Sequence, residues 1–159
     1  MSGAAAFDEL RDLYQEVILD HGRHPRNHRR LAAADRSAKG DNPMCGDRVE
    51  VFLRLGADGR IAEAAFEGRG CAISQASASL MTEIVPGRTE GEARAIGAAL
   101  RTLARTGACP ACEGAVAEAL ERLAPLGGVS EYPSRVKCAT LAWHALDAAL
   151  AGEGRATTE

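Results

Sequence analysis

Three cysteines and one aspartate, far apart along the chain, set the first constraint on what it can fold into. Cys45 and Asp47 share the triplet Cys45-Gly46-Asp47, Cys71 ends Gly68-Arg69-Gly70-Cys71, and Cys138 ends Arg135-Val136-Lys137-Cys138. Thiolate sulfur favours zinc, copper(I) and iron-sulfur clusters, and a tetrahedral centre needs four donors converging on one point. Three Cys and one carboxylate supply that count. The spacing is not the doubled C-x2-C of a structural zinc finger, because two donors lie one residue apart and the others are remote. Only the tertiary fold can assemble such a set, and a site built that way suits ligands that exchange.

The chain is long enough to bury roughly two-thirds of its unfolded surface as one domain, and we expect a single domain over 1–152 with a mobile polar tail over 153–159. Of its 159 residues 46% are hydrophobic but only 4% aromatic, with Ala prominent, which predicts helices packed closely through small side chains. A net charge of −3 lacks the excess of Lys and Arg that phosphate neutralisation requires, so no nucleic-acid partner is expected. The opening residues show no basic stretch followed by an apolar one, and no run is long enough to span a bilayer. A cytoplasmic protein without a membrane partner is therefore expected. An odd count of five Cys suits reduced thiols and metal ligation better than a disulfide framework.

Leu10, Leu13, Tyr14, Val17 and Ile18 recur at helical spacing over 7–21, and Gly22 with Pro25 stops them. Val49, Val51, Leu53 and Leu55 alternate, Asp58-Gly59 makes a turn, and 61–66 starts a second strand, which together read as a hairpin. A helix over 74–83 with Ser74 as N-cap follows, placing Cys71 near a helix N-terminus. Further helices fit 90–105 and 113–123, the latter ended by Gly127-Gly128, and a last one fits 134–150. Residues 35–40 carry no strong pattern and are left to supply a third strand or an arm. The predicted class is α+β: a small three-stranded antiparallel sheet covered on one side by about five helices.

The words around the ligands are more specific than the ligands. Asp41-Asn42-Pro43-Met44-Cys45-Gly46-Asp47, the run from Gly68 through Cys71 to Ser79, and Lys137-Cys138-Ala139-Thr140-Leu141-Ala142-Trp143 resemble the three signatures of the U-type iron-sulfur cluster assembly proteins (the IscU/NifU N-terminal type). The stretch Leu13 to His21, followed by Pro25-Arg26-Asn27, resembles that family's opening helix and loop. IscU-like scaffolds have a His directly before the last Cys and a Leu-Pro-Pro-Val-Lys segment just ahead of it. This chain has Lys137 at the His position and Tyr132-Pro133-Ser134-Arg135-Val136-Lys137, so it resembles the SufU-like branch. That branch also has a helical insertion between its second and third Cys, which 88–128 is long enough to hold.

The resemblance implies zinc held by Cys45, Asp47, Cys71 and Cys138, with Cys45 as sulfur acceptor. It further implies that a SufS-like cysteine desulfurase docks, donates a His to the zinc, and frees Cys45 to take the terminal sulfur of the desulfurase's persulfide. Downstream SUF components would then receive the sulfur. The competing readings are a scaffold that transiently holds a [2Fe-2S] cluster, and a structural zinc domain with another binding role. Asp47 could alternatively cap a turn. Four negative donors around a dication leave a formal excess of two negative charges, and Arg135, three residues before Cys138, is the best-placed side chain to offset it or to engage a partner. From spacing alone Arg135 could equally be a solvated surface residue.

Cys109-Pro110-Ala111-Cys112 lies outside the family's ligand set and reads as ordinary reduced thiols at a helix start, with a redox dithiol or a partial second metal site as competing readings. His21, His24 and His28 share a basic stretch with Arg23, Arg26, Arg29 and Arg30. Pro25 breaks the spacing, so a solvated or partner-facing basic loop is expected there.

Overall fold

The computed structural model describes residues 3–43 and 46–157. Its elements run α1 (Gly3–Arg23), β1 (Arg36–Asn42), β2 (Asp47–Leu55), β3 (Ile61–Arg69), α2 (Ala72–Ile84), α3 (Glu90–Thr106), α4 (Gly114–Leu123), a 3-10 helix (Ala124–Glu131), α5 (Pro133–Leu150) and β4 (Arg155–Thr157). The α+β class, the three antiparallel strands and the five helices are as expected. The sheet order is β3-β2-β1-β4.

β2 is the central strand because its alternation is the cleanest in the chain. Val49, Val51 and Leu53 point into the main core, while Arg48, Glu50 and Arg54 stay on the other face. Each fully buried side chain of this size stabilises the fold by about 1.5–3 kcal/mol relative to exposure. Phe52 breaks the outward polar pattern, and is covered by a small second cluster with Leu31 and Ala65. β1 pairs antiparallel with β2 from Arg36↔Leu53 to Asn42↔Asp47, and its inward residues are Ala38, Gly40 and Asn42. A side chain larger than Gly at position 40 would meet Leu141 and Ala145 of α5, whose atoms lie 3.2 and 3.3 Å from the place its Cβ would take. Close approach of helix to sheet thus explains a strand with almost no hydrophobic signature.

α5 is buried nearly all round, with Leu141, Trp143, Ala145 and Leu146 at the centre of the core. A helix apolar on every side belongs inside a domain. The buried indole N–H of Trp143 is satisfied, since Trp143 Nε1 donates to Ser77 Oγ at 3.2 Å and Ser77 Oγ donates in turn to the Ala139 carbonyl of α5. This tie fixes α2 against α5, the two helices that carry Cys71 and Cys138.

Several local expectations are corrected. Arg155–Thr157, in the stretch read as a mobile tail, pairs parallel with Lys39–Asp41 and adds a fourth strand; three polar or small residues on a sheet edge leave no periodic signal. Gly127-Gly128 does not stop a helix and continue as loop but lies within the 3-10 helix that leads into α5. His21 lies in α1, within the span read as helical, and does not share the solvated setting expected of the basic stretch. It is buried, with Nδ1 2.7 Å from Ser79 Oγ on α2. His24 and His28 are exposed.

Candidate metal centre

Asp47, Cys71 and Cys138 come together. One ligand atom from each lies within 4.8 Å of the others. Asp47 is the first residue of β2 and follows Gly46, whose φ of +75° is the left-handed conformation that glycine adopts without steric cost. Cys71 is not merely near a helix start: it is the N-cap of α2, its sulfur accepting the Ser74 N–H at 3.5 Å. Ser74, expected as the cap, instead sits in the first turn, where its hydroxyl donates to the Cys71 carbonyl at 3.0 Å. Cys138 lies in the second turn of α5 and is fully buried. Cys45, the remaining expected ligand and acceptor, lies outside the described residues, directly before Gly46 in sequence.

The aspartate is fixed by backbone. Asp47 is 3% exposed and its Oδ1 accepts the Cys71 N–H at 3.1 Å, with Oδ2 3.9 Å from Cys71 Sγ. Two glycines make room for this. A Cβ at Gly68 would lie inside contact of the Arg48 carbonyl and 2.9 Å from Val49 Cα, and a Cβ at Gly70 would press on Asp47 Oδ1 and Ser74 Oγ. The sequence Gly68-Arg69-Gly70-Cys71 is therefore the shape of the cradle as much as a signature.

Electrostatics favour cation binding. The Cys138 thiol is pushed up, first by burial and then by its hydrogen bond to Asp47 and the charge of Cys71, so without a cation it keeps its proton. Arg135 is exposed and its guanidinium is raised still further, first by a hydrogen bond to Cys138 and then by the charge of Cys71. It is thus beside the cluster and not a detached surface residue. Two sulfurs and a carboxylate, buried at Asp47 and Cys138 and half-buried at Cys71, restrained by backbone and flanked by Arg135, fit a thiophilic dication such as zinc. An open cleft of about 1080 Å³, lined in part by Asp41, Gly46, Asp47, Arg48 and Arg69, adjoins the cluster at Asp47.

Residues 13–139 match the family described as NifU-like N terminal domain. The chain belongs to that family. Similar members include the zinc-dependent sulfurtransferase SufU of Bacillus subtilis, 38% identical over 91% of this chain and 93% of that one. The iron-sulfur cluster assembly scaffold protein IscU of Streptococcus pyogenes is 35% identical over 91% and 87%. Among solved structures, the N-terminal part of a nitrogen-fixing NifU-like protein from Brucella abortus superposes with a TM-score of 0.76 at 29% identity, covering 90% of this chain and 95% of that one. The names of these family members thus divide between sulfurtransferase and scaffold.

Among the described residues no histidine joins the cluster, and none of the described helices is long and apolar enough to cross a membrane. Cys109 and Cys112, expected as reduced thiols, form a disulfide. Sequence reasoning missed Ser74 as a support for Cys71 and Ser79 as the partner of His21. The only available signal was the run of small polar residues on α2, which reads equally as close packing.

Proposed function

We propose that this protein is a zinc-dependent sulfurtransferase of the SufU-like branch, accepting persulfide sulfur from a SufS-like cysteine desulfurase during iron-sulfur cluster assembly. The observation that carries the reading is the convergence of Asp47, Cys71 and Cys138, from β2, α2 and α5, beside Arg135. Two features favour this branch over a scaffold. Lys137 stands where IscU-like scaffolds have a His, and the stretch between Cys71 and Cys138 holds α3, α4 and the 3-10 helix.

Asp47, Cys71 and Cys138, with Cys45, would hold zinc, which keeps thiolates deprotonated at neutral pH and sheltered from oxidation. The transfer itself is thiol exchange. The Cys45 thiolate attacks the terminal sulfur of the partner's persulfide, a new S–S bond forms at Cys45, the old one breaks, and the partner's thiolate leaves with the electron pair. Arg135 lies at the exposed edge of the cluster, where it offsets the negative charge of the site and faces an arriving partner. The second reading, a carrier of a transient [2Fe-2S] cluster, draws on the scaffold names among the relatives. Anaerobic turnover of a SufS-like desulfurase separates the two. The sulfurtransferase accelerates turnover in a zinc-dependent way that Cys45→Ala abolishes, whereas a scaffold acquires a visible chromophore and passes it to an apo-protein.

A further inference from the structure

The Cys109–Cys112 bond has no part in the site above and little to hold together. It closes a loop with a sequence separation of three, and the entropy removed from the unfolded chain grows with the logarithm of loop length, so a loop this short gains the least. Nor does it join two elements that would otherwise part. α3 already ends in its own cap, where Gly107 at φ +87° donates its N–H to the Leu103 carbonyl, and α4 starts only at Gly114.

Its setting suits reactivity. Both cysteines are half-buried, while Ala108, Pro110, Ala111 and Glu113 around them are exposed, so partner thiols can reach the sulfurs. Pro110 fixes one backbone angle inside the loop, and the Cys112 N–H donates to the Cys109 carbonyl at 3.1 Å with the two Cα atoms 5.5 Å apart. That turn is a backbone feature and keeps the two side chains adjacent after the S–S bond opens, which makes closure intramolecular. Neither sulfur belongs to the Asp47, Cys71 and Cys138 cluster, so the pair can change oxidation state without taking a ligand from it.

We propose that Cys109 and Cys112 form a redox-active thiol–disulfide couple that exchanges two electrons with a dithiol oxidoreductase, separate from the metal centre. In the reductive direction a partner thiolate attacks one sulfur and the intramolecular S–S bond breaks. A mixed disulfide forms, and the second partner thiol then attacks it, leaving both cysteines reduced and the partner oxidised. Two electrons and two protons pass to the pair.

The test uses the full-length, zinc-loaded protein and alkylation of free thiols before mass spectrometry. Thioredoxin with its reductase and NADPH is compared with reduced glutathione, and circular dichroism follows the fold. The couple predicts that Cys109 and Cys112 gain labels together in native buffer, faster with the dithiol protein than with glutathione, at constant zinc content and unchanged dichroism. Oxidised glutathione, added to the reduced protein before alkylation, leaves both cysteines of wild type unlabelled as Cys109 expels the glutathione and the pair closes, whereas Cys109→Ser keeps Cys112 as a persistent mixed disulfide with glutathione. The proposal is overturned if the pair is reduced only in denaturant, if it stays labelled under every oxidant, or if wild type and Cys109→Ser accumulate the mixed disulfide equally.

Discussion

Adding one methyl group at Gly70 tests whether the backbone-held carboxylate matters to the centre. In Gly70→Ala the new Cβ would lie 2.9 Å from Asp47 Cγ and closer still to Oδ1, whereas ordinary contact begins at 3.4 Å. The carboxyl carbon must therefore retreat by at least 0.5 Å (3.4 − 2.9), and Oδ1 by more. Ser74 Oγ, also touched, can rotate, but Asp47 is 3% exposed and has no solvent to retreat into. The bond from the Cys71 N–H, already 3.1 Å long, is lost. A hydrogen bond to a charged acceptor contributes about 1.5–3 kcal/mol, and loss of a partner that orients a metal ligand costs about 10–100-fold in affinity. These agree, because tenfold is about 1.4 kcal/mol. Zinc competition against a chromophoric chelator should show affinity weakened by about 10–100-fold, with the urea transition still cooperative. Asp47→Ala should be weakened too, and the double variant by less than the product of the singles, since both act through one carboxylate. Unchanged affinity in Gly70→Ala, or fully multiplicative losses, would refute the assignment of Asp47.

Three further outcomes follow from the same geometry. Arg135→Ala should keep its zinc and its fold, because the side chain is exposed, yet lose most of its stimulation of desulfurase turnover; wild-type stimulation should fall with added salt and the variant's should not. His21 is held below its usual 6.5, first by burial, and His144 likewise. As pH falls below about 6.5 the unfolded chain takes up these protons before the folded one, so stability is full above that pH and declines below it. Urea midpoints measured from about pH 7.5 to 5.5 should fall for wild type and fall less for His21→Gln. Trp143→Phe should lower stability by about 1–3 kcal/mol, because it leaves a gap beside Gly97 and removes the donor to Ser77 Oγ; a midpoint within error of wild type would contradict the tie between α2 and α5.

Much of the architecture is readable where periodicity is strong. Val49, Val51 and Leu53 announce β2 by alternation, and the helix repeats over 90–105 and 134–150 fall within a residue of α3 and α5. β1 is weakly legible because what faces the core is Ala38, Gly40 and Asn42, chosen for close approach to α5 and not for hydrophobicity. β4 depends on an edge that only the folded sheet provides. At the site, the donor set is legible from residue type and neighbouring words, while the positioning is not. That Cys71 caps α2, and that its N–H holds Asp47, are tertiary facts with no periodic trace. His21 is instructive for the opposite reason. Its basic neighbours suggest a solvated setting, but α1 buries the ring against Ser79.

The central claim is that Cys45 accepts sulfur from a desulfurase at a zinc-loaded centre. Persulfide mapping by mass spectrometry, after anaerobic incubation with a SufS-like desulfurase and cysteine, tests it most directly. The account predicts one added sulfur atom on Cys45, present with zinc and lost when zinc is stripped. Sulfur found on other cysteines alone, or on Cys45 to the same extent without zinc, would contradict it.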